Sequence, residues 1–199
     1  TAYEKRGIAA KIPLWDAASC IQCNRCSYVC PHGVIRPYLL DENEKKAAPE
    51  GFAIALAKGV KGEAPMYFSM QISDMDCTGC GSCVSVCPKK GEALKMCSAP
   101  ADMAVTPQWE YGLTIKEKDC FAKNTVKGSQ FKQPLCEFSG ACAGCGETPY
   151  AKLLTQLYGD RMYWANGTGC TQAWGAAMPS VPYTVNAEGR GPAWSNSLF

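Results

Sequence analysis

The sequence predicts an α+β fold in two parts, and three observations predict it. A cysteine-rich stretch occurs twice, as Asp16–Pro31 and again as Ser73–Pro88. A segment of unlike character separates the two copies. Towards the end, the chain passes from a helix-patterned segment to a strand-patterned one and then into a glycine turn, the rhythm of an α/β sheet. Residues 1–115 are therefore read as a duplicated module with an insertion at about 36–75, and residues 116–199 as part of an α/β domain.

Composition narrows the function classes. With 47% hydrophobic and 19% charged residues the chain has enough apolar side chains for a packed core, which excludes a disordered tail. A formal net charge of +2 supplies no footprint for nucleic acid or an anionic membrane. The longest uncharged run, Met162–Ala187, carries Asn166, Gln172, Pro179 and Pro182, so a lipid-facing helix is not expected. No secretory signal opens the chain, and a start at Thr1 and an end at Phe199 suggest a segment of a longer protein.

Fourteen cysteines leave a choice between disulfides, metal sites and redox chemistry, and spacing decides it. The first copy reads Cys20-x2-Cys23-x2-Cys26-x3-Cys30-Pro31 and the second Cys77-x2-Cys80-x2-Cys83-x3-Cys87-Pro88. In such a run three thiolates wrap one [4Fe-4S] cube, while the fourth points away and ligates the other cluster. Cys20, Cys23, Cys26 and Cys87 would then hold one cluster, and Cys77, Cys80, Cys83 and Cys30 the second. Pro31 and Pro88 hold the preceding cysteine extended. Gly79 and Gly81 free the second loop for backbone conformations that bring N–H groups towards sulfur. Zinc, which prefers two separated C-x2-C pairs, and disulfides fit this exchange poorly. His32 follows a ligand Cys-Pro and is expected beside a cluster or in a solvated loop.

The insertion contains a charged, Ala-rich stretch, Asp41–Glu50, and Phe52–Lys58, where a short helix ended by Gly59 is expected. Charges, Pro100, Pro107 and Gly128 place a domain boundary near Lys116. Further on, Thr148 as N-cap and Pro149 as first helical residue open a helix whose apolar face is Tyr150, Leu153, Leu154, Leu157 and Tyr158, closed by Gly159. Arg161–Ala165 reads as a strand. The remaining cysteines form a looser set: one C-x2-C pair, Cys142 and Cys145, with a distant Cys170, fits zinc or a redox dithiol as well as iron and sulfur. Cys97, Cys120 and Cys136 read as small buried apolar residues.

Residues 1–115 resemble the bacterial two-cluster ferredoxin module. The resemblance then widens. Leu135–Tyr150, Trp164–Cys170, Pro182–Asn186 and Gly189–Asn196 resemble the pyruvate:ferredoxin oxidoreductases (pyruvate synthases), over the whole chain. That likeness implies a ferredoxin-like domain followed by the N-terminal part of a thiamine diphosphate-binding domain. It implies a third [4Fe-4S] cluster on Cys142, Cys145 and Cys170 with its fourth ligand beyond Phe199. Glu147 is expected to contact thiamine diphosphate with Cys170 beside it; the residue-level alternative is a first-turn carboxylate serving the helix dipole. The implied reaction is oxidative decarboxylation of pyruvate to acetyl-CoA and CO2, electrons passing through three clusters to ferredoxin or flavodoxin. Mg2+ and coenzyme A would bind outside this segment, in a cytoplasmic homodimer with no nucleic-acid or membrane partner. A non-catalytic multi-cluster electron carrier and a zinc-binding interaction module are the alternatives.

Overall fold

Each cysteine copy sits inside the same four-part unit of strand, loop, helix and strand. The chain was analysed as a computed structural model that describes residues 3–62, 64–177 and 179–196, so Thr1 and Phe199 lie outside the described residues. Strand β1 (Lys11–Trp15) leads into the first loop, helix α1 (Arg25–Val29) closes it, and β2 (Ile35–Leu40) leaves it. An excursion follows with α2 (Glu42–Ala47) and β3 (Ala55–Leu56). The second unit repeats the order as β4 (Tyr67–Ile72), α3 (Ser82–Ser85) and β5 (Leu94–Ser98).

The units interlock. The first strand of one pairs with the last strand of the other: β1 runs antiparallel to β5, and β2 antiparallel to β4 with Ile35 opposite Ile72 and Leu40 opposite Tyr67. β3 adds to the far edge of β4. Pro13 and Pro37 are tolerated because β1 and β2 each pair on one side only.

Two expectations for the insertion are corrected. Arg36–Leu40 and Tyr67–Ile72 belong to paired strands, so the excursion covers 41–66 rather than 36–75. The helix lies in the charged stretch, at Glu42–Ala47, not at Phe52–Lys58. Asp41 accepts from the backbone of Asn43 and Glu44 while Glu44 accepts from the Asp41 N–H, a complete capping box. Downstream, the open edge of β4 offers hydrogen bonds to Ala55–Leu56 that outweigh their helix propensity.

The rest of the chain folds back onto this module. Helix α4 (Pro107–Thr114) is capped by Thr106, and α5 (Val126–Ser129) by Thr125. Then come α6 (Thr148–Tyr158), β6 (Tyr163–Asn166), α7 (Cys170–Gly175) and β7 (Ala193–Asn196), with β6 and β7 parallel. The core runs across the expected boundary near Lys116. Phe131 stacks on Phe121 at 5.4 Å and meets Phe68 edge-on at 6.2 Å, while Phe138 meets Trp109. A buried ion pair joins Arg36 of β2 to Glu137.

Helix α6 overturns two readings. Its N-cap is Glu147, and the Thr148 hydroxyl is buried without a partner in place of capping the helix. Its buried face is Thr148, Ala151, Lys152, Thr155 and Gln156, whereas Tyr150, Leu154 and Tyr158 are exposed. The polar face wins burial because partners await it on the module: Lys152 reaches the Ser27 carbonyl of α1 and Gln156 bonds Gln130 at 3.0 Å.

Phe68 is fully buried between Trp15 and Phe131, where both parts of the chain meet. Phe68→Ala is expected to cost about 3–5 kcal/mol of folding stability, read as a lower denaturant midpoint.

Candidate functional site

The eight cysteines of the duplicated motif gather round two cavities. The first is lined by Cys20, Cys23, Cys26 and Cys87, walled by Trp15, Met70 and Leu94. The second is lined by Cys30, Cys77, Cys80 and Cys83, with Pro13, His32, Ile35 and Met96. Each cavity thus takes three cysteines from one loop and one from the other. Helix α1 explains the crossing, since Cys26 lies within it on the side of one cavity and Cys30, extended before Pro31, follows it in the wall of the next. Helices α1 and α3 pack together between them.

Both loops use the same backbone device. Gln22 N–H donates to Cys20 Sγ at 3.3 Å and Gly79 N–H to Cys77 Sγ at 3.4 Å. In the second loop Gly79 and Gly81 take φ of 70° and 76°; in the first, Gln22 and Asn24 take the same places with φ of 60°. Sequence reasoning found the glycines and missed their partners, which only a position-by-position overlay of the two copies would have marked. Gln22 and Asn24 are buried and bolted down. Gln22 donates to the Leu56 carbonyl at 2.8 Å and accepts from Lys58 N–H at 2.7 Å, while Asn24 donates to the Lys127 carbonyl at 2.9 Å. The excursion and α5 therefore hold the first loop in a conformation its own residues disfavour.

The electrostatics are those of desolvated thiols. Burial pushes the Cys77 thiol up to about 11 and Cys83 to about 12, and Cys26 upward as well. Binding of a metal centre at these thiols would displace their protons. His32 is buried, its Nδ1 lies 3.1 Å from the Ser139 carbonyl, and burial lowers its pKa. Since a carbonyl only accepts, Nδ1 carries the proton in the neutral ring. Burial draws the Lys152 ammonium down to about 8, with Cys30 and Cys26 acting in the opposite sense. Among the described residues no three His, Cys, Asp or Glu side chains converge as a single metal ion requires.

The looser cysteine set is arranged differently. Cys142 and Cys145 form a turn, with Cys145 N–H on the Cys142 carbonyl at 3.0 Å, in the loop that precedes α6. A Cβ at Gly144 would lie 3.7 Å from Cys80 Cβ, so this turn abuts the second motif loop. Cys170 opens α7, and Cys142 and Cys170 are exposed. None of the three lines either thiol cavity. Glu147 connects their two helices, because its carboxylate accepts from the Trp174 indole of α7 at 3.0 Å and makes no bond to the α6 backbone. Cys136 is buried with Trp174 and Ala151 in a second small core, while Cys97 and Cys120 are half-buried, Cys120 beside the main core.

Known proteins carry the same sequence features. The 4Fe-4S dicluster domain family matches residues 19–90, a span that contains all eight cavity cysteines. A pyruvate-flavodoxin oxidoreductase of Klebsiella pneumoniae is 55% identical over 199 residues, covering 100% of this chain and 17% of that protein. A pyruvate:ferredoxin oxidoreductase of Moorella thermoacetica is 55% identical over 201 residues with the same two coverages. This chain therefore spans about a sixth of the length of either relative. A pyruvate dehydrogenase [NADP(+)] of Cryptosporidium parvum is also 56% identical over 201 residues, of which this chain spans 10%. The match to these oxidoreductases continues past residue 90, so Cys142, Cys145, Glu147 and Cys170 lie within it although outside the dicluster domain.

The first loop can be tested through its left-handed residues. Asn24→Ala loses the bond to Lys127 and also the tolerance of asparagine for positive φ, about 2 kcal/mol in all, whereas Asn24→Gly loses only the bond, about 1 kcal/mol. Thermal melts should rank the wild type above glycine and glycine above alanine.

Proposed function

We propose that this chain is the electron-transfer and cofactor-proximal segment of a 2-oxoacid:ferredoxin oxidoreductase. The observation that carries the proposal is the crossed gathering of thiols, three from one loop and one from the other at each cavity. Zinc or a dithiol has no use for it. An all-sulfur donor set fits iron-sulfur clusters, and the Gln22 and Gly79 N–H groups already point at ligand sulfur. Names of relatives support pyruvate as substrate and flavodoxin or ferredoxin as acceptor.

In this reading Cys20, Cys23, Cys26 and Cys87 hold one [4Fe-4S] cluster, Cys77, Cys80, Cys83 and Cys30 the second, and Cys142, Cys145 and Cys170 three corners of a third. When bound, the clusters relay single electrons and thiamine diphosphate supplies the carbanion chemistry of decarboxylation. The chain's own residues set the order of the route. The Cys142 turn lies against Cys80 at Gly144, so the Cys77 loop is the one of the two motif loops that this turn abuts. Trp15, Met70 and Leu94 keep water from the first cavity, and Pro13, Ile35 and Met96 from the second. Residues 116–199 form the N-terminal part of the thiamine diphosphate domain, with Glu147 placed to contact the cofactor beside Cys170. Mg2+ and coenzyme A bind elsewhere in a cytoplasmic homodimer. No helix among the described residues is long and apolar enough to cross a membrane.

The full chain, purified anaerobically, is expected to carry about eight irons in its two crossed clusters; four irons or stoichiometric zinc would contradict the assignment. Cys87→Ala should disturb the EPR signal of the cluster on Cys20, Cys23 and Cys26 and spare the other. In the intact oxidoreductase, Glu147→Gln keeps the side-chain volume but removes the charge. It should weaken thiamine diphosphate binding with iron content unchanged, and equal affinity would reduce Glu147 to its contact with Trp174.

A further inference from the structure

Among the described residues two Lys or Arg side chains are fully buried, Arg36 and Lys152. Arg36 is neutralised by Glu137. Lys152, 2% exposed, donates to a neutral group, the Ser27 carbonyl. Desolvating an ammonium costs far more than one bond to a carbonyl returns, so Lys152 keeps its charge only where a negative charge stands nearby. The place of Ser27 shows which. It follows Cys26, which lines the first cavity, within α1, and Cys30, just past the end of that helix, lines the second. Four thiolates round an iron-sulfur cube leave a net anion, and each reduction adds a further negative charge. A cation fixed at this point favours the reduced form of either cluster over the oxidised one.

We propose that Lys152 is a positioning charge which raises the reduction potentials of both clusters of the duplicated module at once. The charge arrives from outside the ferredoxin-like module, on the helix that begins at Glu147, so the C-terminal part of the chain sets the driving force for electrons entering the clusters. The proposal rests on the two-cluster reading of the cysteines.

The test is a redox titration of the full chain, followed by EPR, for the wild type, K152Q, K152M and K152R, with iron counted in each. Glutamine keeps a donor for the Ser27 carbonyl and removes the charge; arginine keeps the charge. Both midpoint potentials should fall in K152Q at full iron content and stay near the wild-type values in K152R. Unchanged potentials in K152Q, or an equal fall in K152R, would overturn the proposal. Loss of iron from both K152Q and K152M would assign Lys152 a purely structural role and overturn it as well. Failure of the two-cluster reading would show separately, as a wild-type chain without two clusters.

Discussion

The exchange of one cysteine between two loops is the constraint from which the rest of the module follows. Because Cys30 stands in the wall of the second cavity and Cys87 in that of the first, neither loop completes a site alone. The strands obey the same rule, with β1 finding its partner in β5 and β4 in β2. Such reciprocity makes the two halves cooperative, since separating them breaks two sheets and opens two cavities together. It also sets α1 beside both sites, so that one of its backbone carbonyls, that of Ser27, faces the buried amine of Lys152.

The gathering of the cavity cysteines was legible because the spacing within each loop is local and the duplication repeats it. What escaped was set by distant partners. Gln22 and Asn24 occupy backbone conformations that glycine usually takes, and what holds them there comes from Leu56, Lys58 and Lys127. Periodicity identified α6 but chose the wrong face, because it measures apolarity and cannot see that α1 and α5 offer polar partners to Lys152 and Gln156. The expected helix at Phe52–Lys58 gave way to pairing for a similar reason, the open edge of β4. In the looser set, spacing alone left several chemistries open for Cys142, Cys145 and Cys170.

The apolar side of α6, with Tyr150 at 69% and Tyr158 at 49% exposure, is left facing outward. The chain spans 17% of the length of the Klebsiella and Moorella relatives. The polar side of α6 commits the helix to the duplicated module, while its apolar side is uncovered.

The absence of a seam at Lys116 has a kinetic meaning. A freestanding electron carrier finds its donor by diffusion, and its encounters depend on concentration and are screened by salt. Here the Cys142 turn and the Cys77 loop are held in van der Waals range by a core that includes Phe68, Phe131 and Phe138. On the proposed route an electron crossing between them has no encounter to wait for. That step should be insensitive to ionic strength and to dilution, and only the final hand-over to a soluble acceptor would keep the habits of a collision.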